Sequence, residues 1–96
     1  MISTLRLGPV LDLKAAQPLK VALAEHRGGA LQLDASAVER LGGLCLQVLI
    51  AARRAWSEDG HDITIEPRSA AFTAAAALFA AEAHLGLKAD NDGAVL

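Results

Sequence analysis

Few side chains in this sequence are equipped for chemistry, and most of them stand in one stretch. Residues 33–57 read LDASAVERLGGLCLQVLIAARRAWS. Asp34, Ser36 and Glu39 come before a glycine pair, Gly42-Gly43, and Cys45 follows it. Two carboxylates can divide acid and base roles only when their surroundings set their pKa values apart, and nothing in the Asp34–Glu39 spacing does so. Ser36 has a hydroxyl that could accept a phosphoryl group, but a serine just after a strand commonly caps the loop, as Ser69 would cap a helix. Backbone N–H groups at Gly42, Gly43 and Leu44 could hold an anion if a helix starts there. Arg40 is the one cation beside them.

The remaining reactive groups are scattered. Cys45 is the sole cysteine, inside an apolar run, and reads as a buried, inert thiol. His26, His61 and His84 are far apart, and Glu82 lies two residues before His84, a spacing that aims the two apart on a helix. No metal site and no cofactor are expected. No phosphate-binding loop, dinucleotide fingerprint or nucleophile elbow is present. The expectation is a protein that is not an enzyme.

Composition narrows the field further. A chain of 96 residues, 53% hydrophobic, is expected to make one domain over residues 1–96 with a modest core. Charged residues are 21% and the net charge is -2, so no basic excess points to nucleic acid or anionic lipid. With three aromatic residues and no tyrosine, base stacking has no platform. No signal peptide is visible, and the longest apolar run, Ala74 to Ala81, is too short to insert in a membrane. A cytoplasmic location follows as the default.

The elements that position these residues follow from periodicity. Thr4–Leu7 alternates as a strand, Gly8-Pro9 breaks it, and Val10–Leu13 makes a second strand, expected to pair with the first as a hairpin. Ala15, Leu19, Ala22, Leu23 and His26 mark a helix with Pro18 in its first turn, ended by Gly28-Gly29. Leu31–Asp34 is a third strand, about Gly43–Ser57 a helix, and Asp59-Gly60 a turn. Ile63 and Ile65 belong to a fourth strand that Pro67 should stop, and Ser69 caps an alanine-rich helix. Residues 88–96 either fray or form a short edge strand. The order β-β-α-β-α-β-α is an α/β fold, a mixed β-sheet with helices packed on it.

On the helix beginning at Gly43, Leu44, Cys45, Val48, Leu49, Ala51, Ala52, Ala55 and Trp56 share one broad face, expected to be core. Gln47, Arg53, Arg54 and Ser57 share the other. Leu46 and Ile50 fall among these polar residues. Scattered apolar residues are common on surfaces, but this pair adjoins the glycine loop, so it is read as a contact patch rimmed by Arg53 and Arg54.

With strand order and loop in hand, the chain resembles the STAS domain family, the anti-sigma factor antagonist-like domains. The family signature is a strand ending L-D-x-S-x-V, a loop with an apolar residue, then D-S-x-G-L and a helix. Leu33, Asp34, Ser36 and Val38 match its first half, and Leu41 fills the apolar loop position. Gly42 and Gly43 stand where the family has Asp and the phosphoacceptor Ser, and Cys45 replaces a Gly, while Leu46 matches the family's Leu. ITIEPRSAAFTAAAALF is similar to the later strand, capped turn and helix. The resemblance implies a non-enzymatic, free-standing bacterial module for signal transduction, with a degenerate phosphorylation site. It implies partner binding through Leu41, Gly42, Gly43, Leu44, Leu46, Gln47, Ile50, Arg53 and Arg54. The implied partner is a protein: an anti-sigma factor of the histidine-kinase-like kind, a chemotaxis kinase, or the ATPase of a lipid-transport ABC complex. A nucleotide- or anion-binding role at Gly42-Gly43 is the alternative. Either a monomer or a weak dimer fits, and Ser36 is the one other candidate phosphosite.

Overall fold

The computed structural model describes residues 2–79. In chain order it contains β1 (Ser3–Arg6), β2 (Val10–Leu11), a 3-10 turn (Leu13–Ala15), α1 (Ala16–Glu25), β3 (Leu31–Ala35), β4 (Arg40–Leu41), α2 (Gly43–Glu58), β5 (Ile63–Arg68) and α3 (Ala70–Leu78). The readings placed on residues 80–96 lie outside the described residues. The α/β class and the helices packed on a sheet are as the periodicity indicates.

The opening hairpin does not form. β1 pairs in parallel with β3, bringing Leu5 beside Leu33, and β3 pairs in parallel with β5, bringing Leu33 beside Ile65. β2 instead pairs in parallel with β4, a two-residue strand inside the signature loop, with Leu11 beside Leu41. Burial decides this. Leu7 can enter the core only if β1 continues along β3, which its amide does by donating to the Asp34 carbonyl at 2.9 Å. Past the Gly8-Pro9 break, the Pro9 carbonyl is free to accept from the amides of Glu39 and Arg40 at 2.7 and 3.0 Å.

The core lies on one face of the three-stranded sheet. Leu31, Leu33 and Ala35 of β3 are buried, while Gln32 and Asp34, on the opposite face, are half-exposed. Leu19 and Leu23 from α1, Leu49 and Trp56 from α2, and Phe72 and Ala76 from α3 join the same cluster. The Trp56 indole N–H donates to the Gly29 carbonyl at 2.9 Å, so the largest buried ring leaves no unsatisfied donor. Gly28 adopts φ of 104° after α1, a conformation that strongly favours glycine and turns the chain into β3.

β5 runs through Pro67 rather than stopping before it. Proline removes a ladder donor, and the β3–β5 register shifts between Leu33 and Ala35. The gap is filled by side-chain and cap bonds: Gln32 Nε2 donates to the Glu66 carbonyl at 2.7 Å, and the Ser69 amide donates to the Ala35 carbonyl at 3.1 Å. Ser69 then caps α3 as its sequence position indicates, Oγ accepting from the Phe72 amide at 3.0 Å.

Candidate functional site

The signature loop is built from self-satisfied polar groups. Asp34 accepts the Ser36 amide at 2.9 Å and the Ser36 hydroxyl at 2.6 Å, folding the chain back as it leaves β3. Those two hydrogen bonds, with the Arg6 charge nearby, hold the Asp34 carboxyl below its ordinary range. Among the described residues no hydrogen bond joins Asp34 to Glu39, whose side chain is exposed. Val38 is buried and its carbonyl accepts the Ser69 hydroxyl at 2.6 Å, which ties the loop to the start of α3.

The two glycines do different things. Gly42 is the N-cap of α2, extended at φ -88° and ψ 167°, with its amide donating to the Leu11 carbonyl at 2.9 Å. A Cβ at Gly42 would sit 3.4 Å from the Leu11 oxygen and 4.0 Å from Asp12 Cα, so its small size lets β4 lie close to β2. Gly43 is the first helical residue and is exposed. A Cβ there would meet only the Phe79 ring, at 3.9 and 4.0 Å, which is ordinary contact. Neither glycine has a positive φ. No side chain caps this helix start. Asp12, which lies nearby, spends its carboxylate on the Ala15 amide at 3.1 Å.

Along α2 the structure rotates the expected core face. Cys45, Leu46, Leu49, Ala52 and Trp56 are buried. Leu46, expected at an exposed patch, is only 3% exposed, and Ile50 is half-buried against the core. Leu44, expected inside, is 46% exposed, Ala51 is exposed, and Val48 and Ala55 are half-buried. The apolar arc of α2 is wider than the surface packed against it, and Leu46 joins the same buried cluster as Leu11 and Leu41. Of the residues expected to bind a partner, the fold gathers Gly43, Leu44 and Gln47 on accessible surface around the helix start, while Arg54 is exposed about three turns further along α2. Leu41 is buried, and Arg53 lies instead in a depression with His61 and Asp62.

Phe79 is the site residue that sequence reasoning missed. It is 48% exposed and its ring lies against Gly43. The helical pattern points the other way: Phe72 and Phe79 are seven apart, a spacing that would place both on the buried face, yet Phe72 is buried and Phe79, the C-cap of α3, is open.

Cys45 is fully buried, its Sγ donating to the Asp12 carbonyl at 3.2 Å, and burial pushes its thiol pKa up. Among the described residues no three His, Cys, Asp or Glu side chains come together as a metal site would require. Nor is any helix among them long and apolar enough to cross a membrane.

Among the described residues, a parallel sheet with its core on one face, a short second sheet inside the signature loop and an accessible, neutral start of α2 make a small α/β domain. The family model described as "Mlab, STAS domain" matches residues 2–87. The chain belongs to the STAS domain family, a family of protein-interaction and regulatory modules. No curated protein gives a significant match.

Proposed function

We propose that the chain is a non-enzymatic protein-binding module that engages its partner through the start of α2, constitutively, because its phosphorylation switch is lost. The observation that carries this reading is Gly43, an exposed glycine at the place where the family resemblance puts a phosphoacceptor serine. It has no side chain to receive a phosphoryl group, so nothing at this position adds about two negative charges to a packed interface. Leu44, Gln47 and the Phe79 ring supply accessible apolar and hydrogen-bonding surface beside it. Leu41 and Leu46 act from beneath by holding the helix start in place.

The partner on this reading is a cytoplasmic signalling protein, an anti-sigma factor or chemotaxis kinase of the histidine-kinase-like kind, with a transporter ATPase as the other assignment. Regulation then comes from abundance or from the partner's own state. Gly43→Asp is the artificial off-state. Its Cβ meets only ordinary contacts, and a carboxylate in the first turn suits the helix dipole, so the variant stays folded. Calorimetry with the co-purified partner is expected to show binding weakened at least tenfold. Undiminished binding by folded Gly43→Asp would place the loop outside the interface. Stoichiometric phosphate on Ser36, found by mass spectrometry of protein from its own cells, would overturn the loss of the switch.

A further inference from the structure

The helix start does not use all the open apolar surface of α2. Leu44, Val48, Ala51 and Ala55 follow one helical stripe, each one residue before the buried stripe Cys45, Leu49, Ala52 and Trp56. The second stripe is buried, and the first faces a groove of about 350 Å³ between α1 and α2, where Ala52 and Trp56 of the buried stripe form part of the lining. The alanines make a shallow bed that lets another helix come close. Lys20 and Arg27 line the groove, and among the described residues no acidic side chain does. Arg27 is held by Asp59 at 2.8 Å and lies 5.8 Å from the Trp56 ring centre, whereas Lys20 has no ion-pair partner among the described residues.

We propose that this groove receives an amphipathic α-helix of the partner protein, with an apolar stripe on the α2 alanines and a carboxylate facing Lys20. Charge selects this occupant. A second copy docked through the same groove would bring the same lining, two cations and no carboxylate among the described residues, so Lys20 would meet no opposite charge there. A helix with an acidic flank meets Lys20 with opposite charge and brings no cation near Arg27. From Leu44 to Ala55 α2 rises about 17 Å, which fits roughly three turns of a docked helix. Leu44 belongs both to the groove and to the helix start, so this assignment rests on the proposed partner-binding role and extends it along α2.

The test is site-specific photo-cross-linking in the protein's own cells. Benzoylphenylalanine replaces Ala51 in the groove, Gln47 at its rim, Gly43 at the helix start, or Thr64 on the sheet, and the adducts are sequenced. Positions 51 and 47 are expected to capture one segment of a different protein, apolar at helical spacing and carrying Asp or Glu. Lys20→Glu should lower those yields roughly tenfold and Lys20→Arg should preserve them. The proposal is overturned by adducts to a second copy, to residues 80–96 of the same chain, or to a segment without carboxylates. It is also overturned by yields indifferent to Lys20→Glu. Adducts at 43 alone would remove the groove and keep the helix-start reading. Adducts at 51 and 47 without 43 would do the reverse, and no adduct at any of the three would end both.

Discussion

The two apolar stripes of α2 are one residue apart and chemically alike, yet they have opposite fates. Cys45, Leu49, Ala52 and Trp56 are buried, joined by Leu46. Leu44, Val48, Ala51 and Ala55 border an open groove. A helix that only had to cover a sheet would carry polar residues in place of Leu44, Val48, Ala51 and Ala55. The surplus apolar surface beside a neutral helix start, in a family of interaction modules, is the part of this domain left over from folding.

The largest effect expected from that contrast comes from moving one charge between the stripes. Leu46→Arg forces a guanidinium into the core and should cost about 3–5 kcal/mol, enough to depress the denaturation midpoint severely. Leu44→Arg should change stability by no more than about 0.5 kcal/mol while abolishing partner binding. Equal destabilisation by the two, read from urea titrations, would erase the distinction between the stripes. Ile50→Arg should fall between them, because Ile50 is half-buried.

The glycine pair sharpens the comparison at the helix start. Gly42→Ala adds a methyl 3.4 Å from the Leu11 carbonyl oxygen and places a poor N-cap, a loss of about 1–2 kcal/mol. Gly43→Ala puts a better helix former into the first turn, where its methyl meets only ordinary contact with the Phe79 ring, a gain of up to about 1 kcal/mol. Opposite shifts in melting temperature are expected. Shifts of the same sign would mean that the two glycines are not held as differently as the β2–β4 pairing requires.

The smallest effect concerns Cys45 as a reporter of the buried stripe. Its folded-state pKa is raised, so the folded protein keeps the neutral thiol at pH values where an unfolded chain's cysteine ionises. The contribution is complete at neutral pH and is lost as pH rises above about 8.5, the ordinary thiol range. A thiol reagent should therefore label native protein only as fast as it unfolds, and faster as alkali erodes stability. Rapid labelling at neutral pH would put Cys45 on the open side.

Much of the architecture was legible in residue patterns. The α1 boundaries, the β3 alternation, the Ser69 cap and the burial of Cys45 follow from local periodicity and capping chemistry, which depend on neighbours a few residues away. The L-D-x-S-x-V half of the signature marked the family because its Asp and Ser satisfy each other within three residues.

Other features depended on elements distant in sequence. Strand partners are chosen by which faces must bury, so β1 and β2 joined β3 and β4 rather than each other. The continuation of β5 through Pro67 relied on Gln32, more than thirty residues earlier, to bond the Glu66 carbonyl. Most of all, the sequence of α2 determined that a wide apolar arc existed, with its period and length. Which part of the arc is core and which is open was decided by what the rest of the fold packs against it, since burial depends on the surface facing a helix and not on the helix alone.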